Sequence, residues 1–128
     1  MPQYLPMMTS TIAAGFPSPA DDFQEDILSL NELMIKNKQS TFLVRVSGDS
    51  MIGAGIFPND ILVVDRSLTV KHNAIIIAIV ENEFTVKRLK KLNQQWYLVA
   101  ENPDYKAIPV DNTITCWGVV TFTIHQHE

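Results

Sequence analysis

Six short segments rich in Val, Ile, Thr and aromatic residues follow one another between residues 41 and 125. In chain order they read TFLVRVS, DILVVD, AIIIAIV, EFTVKRL, WYLVAE and TITCWGVVTFTIH, and turn residues separate them. β-Branched and aromatic side chains pack well on a pleated surface, so each segment predicts a strand. The sequence therefore indicates a compact, mostly antiparallel β domain.

The segment AIIIAIV at 74–80 carries apolar residues on both faces of its predicted strand. A strand that is apolar on both faces is covered on both sides, so this segment is predicted to lie in the centre of the sheet. The residues that follow it, ENE at 81–83, are typical of a hairpin turn. With 128 residues the chain fits one domain that needs neither a disulfide nor a metal ion to fold.

The N-terminal part has a different composition. Residues 1–20 contain four of the seven prolines and no charged side chain, which predicts an extended tail with little structure of its own. Further along, Ser29 and Glu32 have the spacing of a capping box. We expect a loose segment followed by one short helix from about Ser29 to Lys36.

Composition also excludes several classes of function. A net charge of −4 gives no diffuse positive field of the kind that nucleic-acid-binding proteins use. The longest apolar run, at 74–80, is far shorter than the ~20 residues that span a bilayer. No Lys or Arg precedes Lys36, which argues against a secretion signal. The single cysteine, Cys116, fits a reducing compartment, and we expect it to be a buried or half-buried strand residue.

The stretch SGDSM at 47–51 places Ser50 just after a predicted strand and before a glycine-bearing loop. A serine in such a turn has an accessible hydroxyl and backbone N–H groups nearby, which are the parts of a nucleophile with an oxyanion hole. Serine and aspartate are also ordinary turn residues, and Asp49 is interpreted as one. The pattern alone therefore leaves both interpretations open.

A nucleophilic serine needs a base, and the histidines are poor candidates. His72 lies in a predicted surface turn, while His125 and His127 lie at the C-terminus and have no further metal ligand nearby. A lysine whose amine is desolvated can also act as a base. Lys87 and Arg88 are neighbours in a predicted strand and must point to opposite faces, and arginine cannot be deprotonated. Lys87 is thus the candidate base, although both side chains could equally be exposed on an edge strand.

The motif SGDSM, followed 37 positions later by the lysine of FTVKRL, resembles the self-cleaving Ser/Lys family of LexA repressors and UmuD. The resemblance extends to NDILVVD and to the closing WGVVTFTIH, and FPSPADDF and SLNELMIKN resemble the arm of UmuD in particular. It covers most of the chain, from about Phe16 to Ile124. It implies a LexA/UmuD C-terminal-type β domain with a short N-terminal helix and an extended mobile tail.

The resemblance also implies the roles of individual residues. Ser50 is the expected nucleophile, Lys87 the general base, and the backbone N–H groups of Ser50 and Met51 the oxyanion hole. The expected scissile bond joins Ala14 to Gly15. The implied organisation is a tail at 1–14 that cleavage removes, an arm with a short helix at 15–40, and a β-rich peptidase-like domain at 41–128.

The residues around this bond suit such a cut. Gly15 lets the backbone approach the nucleophile without an intervening Cβ, and Ala13 and Ala14 fit a narrow cleft. A tethered tail also reacts at high effective concentration. Two features depart from UmuD: alanine replaces the cysteine before the cut, as in LexA-type repressors, and only fourteen residues precede the cut.

At the level of function, the resemblance implies a bacterial cytoplasmic protein of the SOS response. A RecA filament on single-stranded DNA would promote self-cleavage, and the product, Gly15 to Glu128, would act as a homodimer. That homodimer would join a UmuC-type Y-family DNA polymerase for error-prone translesion synthesis. No cofactor, metal ion, membrane partner or sequence-specific DNA contact is expected.

Two alternatives remain. The chain could be the self-cleaving C-terminal domain of a LexA-type or phage repressor, but a repressor needs a helix-turn-helix, which fourteen proline-rich residues cannot form. It could also be a catalytically inactive β module that only binds partners. Substituting Ser50 would separate that module from both self-cleaving proteins.

Overall fold

The computed structural model describes residues 3–8 and 24–128, with the backbone alone at 24–27. The chain divides into two compact units, one ending at Lys36 and the other spanning Asn37–Glu128. The predicted cleavage site, Ala14 and Gly15, lies outside the described residues.

The first unit contains two antiparallel strands, β1 (Tyr4–Met8) and β2 (Gln24–Ser29), followed by the helix α1 (Leu30–Met34). The short helix expected here is thus present, although it covers five residues rather than the whole of 29–36. The strand pairing was not expected from sequence. Proline-rich backbone is already extended and tolerates the edge of a sheet, which is the physical reason that such a tail can form a strand.

The second unit is built on one seven-stranded sheet in the order β3-β4-β9-β5-β6-β7-β8, and every neighbouring pair is antiparallel. The predicted β-rich, antiparallel fold is confirmed, and β5 occupies the predicted central position. The two-residue strand β8 was not predicted. The strands are β3 (Thr41–Arg45), β4 (Ile61–Asp65), β5 (Ile75–Val80), β6 (Glu83–Leu92), β7 (Gln95–Val99), β8 (Ile108–Pro109) and β9 (Thr115–Ile124).

The hairpin turn predicted at 81–83 is present between β5 and β6, and its connection is two residues long because Glu83 already belongs to β6. Glu81 and Asn82 both have positive φ values, 51° and 64°. Two successive positive φ values match the twist of an antiparallel hairpin. This turn sets the register in which Ile76 pairs with Lys87 and Ile77 pairs with Val86.

The two faces of β5 contribute to two hydrophobic clusters. On one face Ile76 and Ala78 pack with Leu89 and Leu98. On the other face Ile77 belongs to a cluster that includes residues of the connection between β3 and β4. The buried members of this second cluster are Val46, Met51, Ile56, Leu62, Val64 and Ile77. Apolar burial therefore fixes the connection that carries Ser50 against the sheet.

The expected burial of Cys116 is wrong. The residue lies on β9 as predicted, but its side chain is exposed. A register shift between Ile77 and Ala78 places Gly118 and Cys116 opposite these two residues of β5 and leaves Trp117 as the extra residue. Such a bulge redirects neighbouring side chains, which an alternating sequence pattern does not reveal.

Candidate active site

The connection between β3 and β4 holds Ser50 on a tightly folded loop. Hydrogen bonds from Val46 N to the Asp60 carbonyl (2.8 Å) and from Asn59 N to the Val46 carbonyl (2.9 Å) close its base. Just after Ser50, the side chain of Met51 is 1% exposed and anchors the loop in the core. The serine is thus presented by a loop whose ends and centre are both fixed.

Gly48 allows the chain to bend immediately before the serine. Its φ of +84° lies in the left-handed region, which residues that carry a Cβ rarely adopt. After the serine, a short 3-10 helix covers Ile52–Ala54. The local sequence therefore forms a turn that lifts Ser50 away from the strand direction.

Lys87 meets Ser50 from strand β6. Its Nζ atom lies 3.0 Å from Ser50 Oγ, 3.0 Å from Thr85 Oγ1 and 3.2 Å from the Val86 carbonyl oxygen. The Lys87 side chain is buried, at 7% exposure. Arg88 instead donates to Glu101 Oε1 at 2.6 Å, as expected for neighbouring residues on opposite faces of a strand. The structure thus brings the two candidate catalytic side chains together.

Burial lowers the pKa of Lys87, because a desolvated ammonium is less stable than a desolvated amine. Within the described part of the chain, no carboxylate forms an ion pair with Lys87 that would restore its charge. Its polar neighbours are the neutral oxygens of Ser50, Thr85 and Val86. This environment favours the neutral amine, the form that can accept a proton.

Two backbone donors lie at the candidate oxyanion hole. The N–H groups of Ser50 and Met51 donate no hydrogen bond to any other residue that the structure describes. The next donors along the chain are engaged: Ile52 N with the Asp49 carbonyl at 3.4 Å, and Gly53 N with the Glu101 carbonyl at 2.8 Å. The N–H groups of Ser50 and Met51 therefore have no acceptor among the described residues.

A second loop, at 100–107, supports the serine loop. Asn102 Nδ2 donates to the Asp49 carbonyl at 3.0 Å, and the Tyr105 hydroxyl donates to Asp49 Oδ1 at 2.7 Å. A Cβ on Gly53 would stand 2.5 Å from the Glu101 carbonyl oxygen, so only glycine lets the two loops approach this closely. The contacts of Asn102, Tyr105 and Glu101 with the serine loop thus all lie within three residues of Ser50.

A groove runs beside Ser50 between strands β3 and β6. Among residues 3–8 and 24–128, strand β3 pairs with β4 alone and forms an edge of the sheet. Its free edge can therefore pair with an extended peptide. The groove is lined by Val44, Arg45, Val46, Ser47, Ser50, Leu62, Ile77, Phe84, Thr85 and Val86.

The chain is similar to known proteins over nearly its whole length. The sequence profile of the family described as Peptidase S24-like matches residues 6–121. The chain belongs to this family. Protein MucA of Salmonella typhimurium is 40% identical over 126 residues, which cover 96% of this chain and 86% of MucA. Protein ImpA of Salmonella typhimurium is 41% identical over 122 residues, covering 94% of this chain and 83% of ImpA.

A LexA repressor of Acidithiobacillus ferrooxidans is 40% identical over 114 residues, covering 85% of this chain and 55% of the repressor. These matches confirm the resemblance to UmuD-like proteins. Membership of the peptidase S24-like family also supports a serine peptidase of the self-cleaving kind.

The sequence analysis did not identify three residues of this site, Thr85, Asn102 and Tyr105. Thr85 could have been found, because it lies two positions before Lys87 on a strand and so shares its face. Asn102 and Tyr105 carry no such signal. They lie 53 and 56 positions from Asp49, in a loop whose path the sequence does not reveal.

None of the three histidines contacts Ser50 in this peptidase S24-like site. His72 is exposed, and its Nδ1 atom accepts a hydrogen bond from Lys91 N at 2.9 Å. His125 pairs with the buried carboxylate of Asp60, and its ring packs against that of His127. These contacts give the histidines structural roles.

Residues 3–8 and 24–128 contain neither a metal-ligand cluster nor a membrane-spanning helix. Within these ranges no three His, Cys, Asp or Glu side chains cluster in a way that could hold a metal ion. No helix in the same ranges is long and apolar enough to cross a membrane.

Proposed function

We propose that this chain is a UmuD-like self-cleaving peptidase in which Ser50 is the nucleophile and Lys87 the general base. The observation that carries the proposal is the 3.0 Å approach of Lys87 Nζ to Ser50 Oγ, with the lysine buried. Nucleophile and base must lie within hydrogen-bond reach, and the base must be able to lose its charge. This arrangement meets both conditions.

In the first half of the reaction, neutral Lys87 takes the proton of Ser50 Oγ while that oxygen bonds to the carbonyl carbon of Ala14. The carbonyl oxygen gains negative charge, and the N–H groups of Ser50 and Met51 stabilise it. The bond between Ala14 and Gly15 then breaks. The leaving amine of Gly15 takes the proton from the Lys87 ammonium, which leaves Ala14 as an ester of Ser50.

In the second half, a water molecule attacks the ester carbonyl and gives its proton to Lys87. The ester bond breaks, the serine oxygen recovers a proton from Lys87, and the Ala14 carboxylic acid is released. Thr85 supports both halves, because its hydroxyl, 3.0 Å from the amine, holds Nζ in one direction whether or not Nζ is protonated.

The substrate in this proposal is the tail of the chain itself. An extended segment with Ala13 and Ala14 would lie along the free edge of β3, and the apolar side chains of Val44 and Val86 suit residues of that size. A tethered segment needs little intrinsic affinity for the groove. On a short flexible linker its effective concentration is roughly in the millimolar range. The fraction of time that the tail is docked would then control the rate.

The wider role extends the same proposal. A RecA filament on single-stranded DNA would accelerate cleavage by favouring the docked tail and would add no catalytic group. The product, Gly15 to Glu128, would act in the bacterial cytoplasm as a homodimer with a UmuC-type Y-family polymerase. Support for this role comes from the length over which the chain matches UmuD-like relatives.

Mass spectrometry of the purified protein, incubated from pH 7 to pH 10, tests the chemistry. We expect a fragment that begins at Gly15, formed faster as the pH rises, because a larger fraction of Lys87 is then neutral. Ser50→Ala and Lys87→Ala should stay intact at every pH, with rates reduced by at least ~10³-fold. Added RecA filament should raise the wild-type rate at pH 7 and leave both variants uncut.

Two results would contradict the proposal in different ways. A fragment with a different N-terminus would move the cleavage site and leave the Ser50–Lys87 pair in place. An intact wild-type protein at every pH, with and without the filament, would make this a binding module that has the family's fold without its chemistry.

A further inference from the structure

Asp49, the residue immediately before Ser50, is held from two directions by the loop at 100–107. Its backbone carbonyl accepts a hydrogen bond from Asn102 Nδ2 (3.0 Å), and its carboxylate accepts one from the Tyr105 hydroxyl (2.7 Å). Asn102 is itself buried at 8% exposure. The backbone that leads into the serine is thus fixed by a neighbouring loop as well as by its own strand.

Tyr105 also contacts the other member of the pair. Lys87 Nζ lies over its ring, 5.6 Å from the ring centroid. The tyrosine is 44% exposed while the lysine is 7% exposed, consistent with a ring that lies on the solvent side of the amine. One side chain therefore touches Ser50's segment through its hydroxyl and Lys87 through its ring.

We infer that Tyr105 is a positioning residue of this active site, which fixes Ser50 through Asp49 and shields the Lys87 amine from water. The inference rests on the proposed function, since it assigns a part to Tyr105 in that reaction. It divides the side chain into two separable parts. The hydroxyl sets the geometry of the nucleophile, and the ring sets the protonation of the base.

The hydroxyl part follows from the strength and direction of the contact. A hydrogen bond to a charged carboxylate is stronger than one between neutral groups. A displacement of about 1 Å at a reacting atom can lower a rate by about 10²-fold. Because Asp49 is bonded directly to Ser50, conformational mobility of Asp49 also displaces the nucleophile.

The ring part involves two opposing effects on Lys87. The face of an aromatic ring attracts an ammonium group, which favours the charged form, but 5.6 Å is close to the ~6 Å limit of that attraction. Burial is the cause of the lowered pKa of Lys87, and we infer from the 5.6 Å between Nζ and the ring centroid that the ring is part of what excludes water from the amine. Loss of the ring should therefore raise the pKa of Lys87 towards its ordinary value.

The other charged groups near Tyr105 do not disturb this test. Its hydroxyl faces Asp49, with the charge of Asp104 also close, and the hydrogen bond to Asp49 raises the pKa of Tyr105. The tyrosine therefore keeps its proton, and remains a donor, over the range in which Lys87 is titrated.

The experiment compares the self-cleavage rate against pH for the wild type, Tyr105→Phe and Tyr105→Ala. Tyr105→Phe should lower the plateau rate about tenfold with the midpoint unchanged, because the ring remains. Tyr105→Ala should lower the plateau further, by about 10²-fold, and move the midpoint to higher pH. Asp49→Ala should match Tyr105→Phe, and combining the two should cost little more than either alone.

Tyr97→Phe, on β7, is the matched control and should cleave at the wild-type rate. Thermal unfolding of each variant shows whether it is folded. Wild-type rates in both Tyr105 variants would overturn the inference, and an unchanged midpoint in folded Tyr105→Ala would overturn its ring part.

A second measurement does not depend on cleavage. NMR titration of ¹³C-labelled lysines, with Lys87→Met to assign the signal, reports the pKa of Lys87 in the Ser50→Ala background. Adding Tyr105→Ala should raise that pKa. If the wild type never cleaves but this shift occurs, the proposed function fails and the ring part stands; if the shift does not occur, the ring part fails whatever the wild type does.

Discussion

Lys87 and Asp65 are both buried in the β domain, and their surroundings are opposite in kind. The amine of Lys87 has three neutral oxygens as its hydrogen-bond partners among the described residues, and burial lowers its pKa. Asp65, at the end of β4, accepts hydrogen bonds from Asn37 Nδ2 (2.8 Å), Ser40 Oγ (2.9 Å), Ser67 N (2.9 Å) and Ser67 Oγ (2.7 Å). These donors, led by Asn37, lower the pKa of Asp65 and stabilise its charge.

The comparison shows that burial alone does not mark a functional residue. At Asp65 the protein supplies donors that replace water, so the charged form is stable and joins the segment at 37–40 to β4. At Lys87 burial removes water, and the described part of the chain supplies no opposite charge, so the charged form is destabilised. The first arrangement strengthens the fold, while the second weakens it and is the environment that a proposed base requires.

The largest expected effect comes from replacing Lys87 by methionine, which has a similar length and no charge. Cleavage should be lost, and the free energy of unfolding at pH 7 should rise, on the order of 1 kcal/mol as is typical of a single substitution, because a buried charge without an opposite charge is removed. Urea unfolding in the Ser50→Ala background measures this without cleavage. Lys71→Met, at an exposed lysine, is the control and should change the free energy of unfolding little. A large loss of stability in Lys87→Met would contradict the inference that the buried charge of Lys87 destabilises the fold.

The second effect has the opposite sign. Asp65→Asn removes the charge, and the amide group of the new asparagine faces the donors of Ser40 and Ser67. We therefore expect the unfolding temperature to fall by several degrees, while self-cleavage continues. Asp111→Asn is the matched control, because Asp111 accepts similar bonds from Thr113 N and Oγ1 on the surface. A larger fall at Asp111 than at Asp65 would show that burial does not strengthen these bonds.

The smallest effect is the pH dependence of stability. For both groups the folded pKa lies below the unfolded one, so the native state binds fewer protons and stability rises with pH in each window. For Asp65 the gain is complete above about pH 4 and is lost as the pH falls towards its native pKa. For Lys87 the rise occurs between its lowered pKa and about pH 10.4.

Urea midpoints measured from pH 2 to pH 11 separate the two windows. In the Ser50→Ala background, Lys87→Met should flatten the alkaline rise only, and Asp65→Asn should flatten the acidic one only. An alkaline rise that persists in Lys87→Met would assign that rise to another group and contradict the lowered pKa of Lys87 in the folded protein.

The sequence interpretation was most successful where the signal is local or carried by a motif. Six strands were predicted from composition and alternation, and the hairpin turn at Glu81 and Asn82 from residue type. Ser50 and Lys87 were selected as a pair by motif spacing, and the structure brings their side chains together. The exposure of Cys116 and the pairing of β1 with β2 were not foreseen, because bulges and pairing partners depend on distant segments.

By itself, the sequence determined the strands, the choice of a lysine over an arginine as candidate base, and the family, because these depend on residue type and short-range order. Only the tertiary structure decided what surrounds each charge. Whether Lys87 meets donors or carboxylates depends on strands and loops tens of residues away, and the same holds for the placement of Asn102 and Tyr105 around Asp49. The free energy of a charged group is set by that three-dimensional environment, so the reactivity of the site arises only when the sheet has formed.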